Sequence, residues 1–203
     1  FIPETHPYEN LLKTMNWDEY FNDAMEEIPM PKPIEESLAR WIETEEDLDS
    51  LVETLKDQSI VAVDLEHHSM HSYYGLTCLM QISTLFDDYL IDTIKLRSSI
   101  GRLRPIFASP SILKVMHGAE SDNIWLQRDF NIFIVGLFDT YFAAKILGLQ
   151  RFSFAFLMQH YLGIHVDKQH QMSDWRIRPL PKDMLFYAQQ DTHYLLHLYS
   201  RIR

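Results

Sequence analysis

Ile60-Val61-Ala62-Val63-Asp64-Leu65-Glu66 is a short apolar run that ends in two acids separated by one leucine. It is too short for a helix and rich in β-branched residues, so it reads as a strand buried on both faces. Residues i and i+2 of a strand face the same way, which brings Asp64 and Glu66 together on one side while Leu65 packs on the other. Two carboxylates that close repel unless a cation lies between them. Oxygen ligands on a rigid strand suit hard divalent ions such as Mg²⁺ or Mn²⁺. A solvated turn at a strand end is the plain alternative, and this pair alone does not decide between the two.

The 203 residues, 46% of them hydrophobic and 13% aromatic, are enough for one domain with a substantial core. With 18 basic against 29 acidic residues the formal charge is −11. That argues against a broad basic face gripping a long duplex. It leaves room for a nucleic-acid enzyme whose acidic pocket is neutralised by bound cations. The single cysteine, Cys78, excludes an intramolecular disulfide and reads as a buried thiol. No apolar stretch approaches the length of a membrane span and no signal-peptide pattern opens the chain, which fits a reducing intracellular compartment. The first residue is Phe1, so the chain is expected to be a piece of a longer protein.

Working outward from the acidic strand, residues 1–42 carry Pro3, Pro7, Pro29, Pro31 and Pro33 with Tyr8, Trp17, Tyr20 and Phe21 among them. This composition predicts an extended arm that packs on the domain formed by residues 43–203. Thr44 followed by three acids caps a helix over 45–57, with Leu48, Leu51, Val52 and Leu55 at helical spacing. After the acidic strand come strands over 77–84 and 89–92, and short connections make these three a meander. A helix over 99–109, a strand over 112–116, a helix over 121–129 and a strand over 132–138 follow, with parallel pairing expected. Helices over 139–147 and 153–162, a polar stretch, and one last helix after Pro181 complete an α/β chain with a mixed five-stranded sheet.

Two further signals lie on these elements. Asp122 stands where the fourth strand hands over to a helix, a usual place for site residues in an open α/β sheet. Locally, capping of that helix by Asp122 or Ser121 is the simpler role. In the last helix Tyr187 and Asp191 are four residues apart and share a face. An inward Asp191 is a buried charge that needs a partner, whereas Gln189 and Gln190 beside it also permit an exposed stripe.

Asp-x-Glu on a strand, Asp after the fourth strand and Tyr-x-x-x-Asp on a final helix together resemble the DEDD superfamily of 3′ to 5′ exonucleases, in the subgroup with tyrosine in the last motif. The stretches Asp64-Leu65-Glu66-His67-His68, Ser72-Tyr73-Tyr74-Gly75, Cys78-Leu79-Met80-Gln81-Ile82-Ser83, Gly136-Leu137-Phe138-Asp139-Thr140 and Asp174-Trp175-Arg176-Ile177-Arg178-Pro179-Leu180 resemble the nuclear, exosome-associated RNase D-like exoribonucleases of eukaryotes. The likeness runs from about residue 43 to the end. It implies an RNase H-like fold and two divalent metal ions held by Asp64, Glu66, Asp122 and Asp191. It further implies that Tyr187 holds the attacking water and that His67, Trp125 and Lys168 lie against the terminal nucleotide.

The expected activity is metal-dependent hydrolysis of single-stranded RNA from its 3′ end. The implied partners are the nuclear exosome core and its small nuclear cofactor proteins, in the nucleus and nucleolus, with no membrane. The family normally continues into a helical HRDC domain, whereas this chain stops at Arg203. A catalytically silent RNA-binding or scaffolding module, and a DNA 3′ to 5′ exonuclease of the same superfamily, are the rival readings. His117, His160 and His165 show no zinc spacing, and Arg176 and Arg178 are open to either phosphate contact or a structural loop role.

Overall fold

The computed structural model describes residues 6–17, 28–70 and 74–203. Its elements in chain order are α1 (Glu9–Thr14), β1 (Arg40–Ile42), α2 (Glu45–Lys56), β2 (Ile60–His68), β3 (Leu76–Ser83), β4 (Asp88–Ile91), α3 (Arg104–Ala108), β5 (Leu113–Met116), α4 (Glu120–Phe130), β6 (Leu137–Asp139), α5 (Thr140–Ile146), α6 (Phe154–Leu157), α7 (Lys182–His193) and α8 (Leu195–Ile202). Pro3, Tyr20, Phe21, Ser72 and Tyr73 lie outside the described residues.

β2, β3 and β4 form the expected antiparallel meander, and β5 and β6 join β2 in parallel. The sheet has six strands rather than five, in the order β1-β4-β3-β2-β5-β6. The additional strand is β1, which pairs in parallel with β4 at the far edge. Arg40-Trp41-Ile42 is too short to show a period of two, so its pairing is decided by the edge it meets.

The expected strand over 132–138 contracts to β6. Asn131 turns left-handed at φ 52°, and Ile132 N–H closes α4 by donating to Leu126 O at 3.0 Å, so the chain enters the sheet only at Leu137. The helix expected over 99–109 is a 3₁₀ turn, Ile100–Leu103, followed by α3, because Pro105 fits only a first turn. The helix expected over 153–162 is α6 continued by a π turn, Met158–Leu162, that stops at left-handed Gly163. The last helix divides at Tyr194 into α7 and α8.

Alternation along β2 divides the core. Val61, Val63 and Leu65, with Met80 and Ile82 of β3, pack beneath Leu48, Leu51, Phe107 and Leu126. Ile60 and Ala62 face the opposite way, toward Ala144, Leu157, Leu195 and Leu198. Asp64 and Glu66 share this second face, over which α7 packs across β2, β3 and β4. β5 pairs with β2 only as far as Ala62, so the edge of β2 from Val63 onward opens a crevice beside the end of β5. Crevices at the carboxyl ends of strands, where neighbouring connections diverge, are where α/β sheets bind ligands.

Thr44 caps α2 as expected, its Oγ1 accepting from Asp47 N–H at 3.1 Å. Thr44→Ala should lower unfolding free energy by about 1 kcal/mol in a denaturant titration, with an unchanged slope. A loss near zero would mean that the hydroxyl contributes nothing to that helix end.

Candidate functional site

Each acid reaches the crevice from a different element. Asp64 and Glu66 arrive from β2, and Asp191 from the middle of α7. One carboxylate oxygen from each of these three lies within 4.8 Å of the other two. Asp122, in the first turn of α4, lines the same cavity of about 590 Å³ without joining that triad. It accepts from its own backbone N–H in that first turn while lining the cavity, and the N–H groups of Gly118 and Ala119 just before the helix are bound by the carboxylate of Asp139, at 2.8 and 2.9 Å. Gln189 and Gln190 do not form an exposed stripe, since both are buried.

Burial dominates the electrostatics. It raises the carboxyls of Asp64 and Glu66 well above the usual range, and the charges of Asp191 and Asp122 raise both further. Burial likewise pushes Asp122 up to about 7 and Asp191 up to about 8. Opposite Asp64 on β3, buried Gln81 brings its amide nitrogen to 3.5 Å from Asp64 Oδ2 and 3.4 Å from Glu66 Oε1. These are long contacts from a neutral group, too weak to offset several charges. An all-oxygen donor set made costly by its own charge fits hard divalent cations.

Tyr187 lines the same cavity, one turn before Asp191. Burial first, then the charges of Asp191, Glu66 and Asp64, push its phenol above the ordinary range. The hydroxyl therefore keeps its proton and acts as a hydrogen-bonding group.

His67, Trp125 and Lys168 complete the expected set in this cavity. The register between β2 and β3 shifts between Glu66 and His67, a bulge of the kind that re-aims side chains. His67 lies flat on Trp125, ring centroids 4.1 Å apart and planes 4° from parallel. Gly75, at φ +67°, is required behind it, because a Cβ there would come 1.9 Å from His67 Cε1. Arg128 Nη2 lies 3.4 Å from His67 Nε2. A guanidinium only donates, so that ring nitrogen is the acceptor.

A further part of the cavity lining does not follow from the sequence reading. It consists of His117, Tyr141 and Phe154, with His117 Nδ1 2.9 Å from Thr140 Oγ1 and its ring 5.5 Å from that of Phe154. Gln81 was also missed, although a glutamine within an apolar strand, in phase with Leu79 and Ser83, was a usable signal. Arg176 and Arg178 are loop ties. Arg176 forks onto Asp174, and Arg178 binds Asp92 at 2.7 and 2.9 Å and Cys78 O at 2.7 Å.

A family model described as 3′-5′ exonuclease matches residues 39–203. The chain belongs to the 3′-5′ exonuclease family. The exosome complex exonuclease RRP6 of Saccharomyces cerevisiae is 48% identical over 198 residues, which are 98% of this chain and 27% of that protein. The catalytic core of RRP6 from Trypanosoma brucei superposes with a TM-score of 0.91 at 40% identity, covering 98% of this chain and 55% of that one. RNase D of Escherichia coli, an exoribonuclease involved in structured RNA processing, gives a TM-score of 0.77 at 28% identity over 81% of this chain and 44% of that one. The fold is thus that of the RRP6 and RNase D exonucleases, and this chain spans about a quarter of the length of the curated relatives it matches. Among the described residues no helix is long and apolar enough to cross a membrane.

The raised carboxyls set a pH dependence. A carboxyl with a raised folded-state pKa keeps its proton where the unfolded chain has lost it, so the folded state is penalised as pH climbs from about 4 to about 8. A divalent cation competes with those protons. The gain in Tm on adding Mn²⁺ should therefore be larger near pH 8 than near pH 5.5. A gain independent of pH would contradict metal binding by these carboxyls.

Proposed function

We propose that this chain hydrolyses single-stranded RNA from its 3′ end and releases nucleoside 5′-monophosphates. The observation that carries the proposal is the convergence of Asp64, Glu66 and Asp191 within ligand distance, with Tyr187 on the same helix as Asp191. The exoribonuclease among the solved structures of this fold supports RNA over DNA.

Asp64, Glu66, Asp122 and Asp191 would hold two divalent ions, Mg²⁺ or Mn²⁺. When bound, these supply the positive charge that the scissile phosphate, the attacking water and the departing 3′ oxygen require. Water oxygen joins phosphorus, giving up a proton to solvent, as the bond from phosphorus to the 3′ oxygen breaks and that oxygen takes up a proton from solvent. The shortened strand keeps a 3′-hydroxyl, and the phosphate leaves on the 5′ carbon of the released nucleotide.

Tyr187 holds and orients the water, and burial keeps its phenol a hydrogen-bonding group, which ranks orientation above general-base help. His67 and Trp125 offer a flat ring pair against which the terminal nucleotide stacks, and Lys168 at the cavity rim meets phosphate. The catalytic unit includes β1 and runs from about residue 39 to 203, so the boundary expected at residue 43 moves back to take in the edge strand. Following the relatives named as exosome proteins, the proposed partner is the exosome with its small cofactor proteins, in the nucleus including the nucleolus.

Asp64→Asn should reduce cleavage of a 5′-labelled oligoribonucleotide by at least about a thousandfold while its binding changes little. Tyr187→Phe should slow single-turnover cleavage by about a hundredfold with the same small effect on binding. A fully active Asp64→Asn protein would reject the assignment of the acids. Equal rates on matched RNA and DNA strands would reject the preference for RNA, which requires a contact to the 2′-hydroxyl.

A further inference from the structure

Helix α7 carries both Asp191 and Tyr187, yet two of its buried anchors are Met184 and Ala188, a flexible side chain and a small one. Such contacts resist separation but fix rotation poorly. Directional bonds on either side of Asp191 supply what they lack. Asp88, buried at the start of β4, accepts on Oδ2 from Gln189 Nε2 at 2.8 Å and from Ser37 Oγ at 3.1 Å. His193 Nδ1 donates to the same oxygen at 2.7 Å, and Ser83 Oγ donates to Oδ1 at 2.6 Å. Ser83 Oγ lies in turn 2.8 Å from Thr192 Oγ1.

Gln189, Thr192 and His193 bracket Asp191 within one helical turn, so these bonds hold the helix both in rotation and along its axis. The same helix face is tied to residues 28–37. His193 Nε2 lies 2.8 Å from Lys32 O, and Gln189 Nε2 also donates to Ser37 O at 3.1 Å. Ile34 N–H donates to the hydroxyl of Tyr194 at 3.0 Å, and His197 Nδ1 lies 2.6 Å from Ile28 O. Both nitrogens of His193 face acceptors, so the ring donates from both. Ile28 and Ile34 are buried in the core beneath α8.

We propose that residues 28–37 are a strap which, through the Asp88 hub, sets the position of α7 and so of Asp191 and Tyr187. Asp88 and His193 are positioning residues; neither lines the cavity. The segment is thereby part of the catalytic apparatus, and not just a lead into the domain. The inference rests on the metal-dependent exonuclease reading given above.

Asp88→Asn keeps the side-chain shape but loses the charge and one acceptor. Mn²⁺ affinity by calorimetry should weaken by about tenfold, as expected for loss of a group that orients ligands. At saturating Mn²⁺, kcat on an oligoribonucleotide should fall about tenfold while KM stays within about twofold. Tyr194→Phe removes only the tie to Ile34 and should move both quantities the same way by about threefold. Wild-type Mn²⁺ affinity and kcat in a folded Asp88→Asn protein would overturn the strap. Should Asp88→Asn fail to fold, the same wild-type values in Tyr194→Phe would do so. If the unsubstituted protein cleaves nothing while the variants still lose Mn²⁺ affinity, the exonuclease reading fails and the strap stands.

Discussion

Carboxylates crowded into one buried crevice repel each other, and they stay there only because the surrounding backbone gives them nowhere to go. Burial adds to that repulsion: charging Asp122 against a burial-driven shift from 3.8 to about 7 costs on the order of 4 kcal/mol. A domain's whole stability is about 5 to 15 kcal/mol. Two of the acids are therefore fixed by a strand paired with β3 along most of its length, and a third by a helix pinned by hydrogen bonds beside it. A divalent cation offsets that burial cost together with the repulsion felt by Asp64 and Glu66, so the cost to the fold and the affinity for metal are linked.

What was legible in the sequence follows from the range of the forces involved. The pairing of Asp64 with Glu66 needs only the strand period, and that of Tyr187 with Asp191 only the helix period. That Asp122 lines the cavity is not readable locally, because the turn that presents it is held by Asp139 at the end of the next strand. The Asp88 hub joins residues 37, 83, 88, 189 and 193, and no local pattern announces a bond between His193 and Asp88. β1 was hidden for a related reason, since three residues become a strand only when β4 offers them an edge. The family likeness pointed to cavity-lining residues that spacing alone left open, His67, Trp125 and Lys168, though not to His117, Tyr141 and Phe154.

With a formal charge of −11 the chain as a whole does not attract a polyanion. Recognition has to be local. On the proposed function, the stacked rings of His67 and Trp125 would offer an uncharged platform to a base, and the all-oxygen cluster would meet phosphate only with cations in place. Such a site takes a flexible strand end readily, whereas a duplex would have to unpair to enter a cavity of about 590 Å³.

The central claim is that Asp64, Glu66 and Asp191, with Asp122 beside them, form a divalent metal centre. Anomalous diffraction from a crystal grown with Mn²⁺ and a nucleoside 5′-monophosphate tests it most directly. The account predicts two anomalous peaks in the crevice, each within coordination distance, about 2.0 to 2.6 Å, of oxygens from this set. Strong peaks elsewhere in the crystal and none in the crevice, with the nucleotide visible in the cavity, would contradict it.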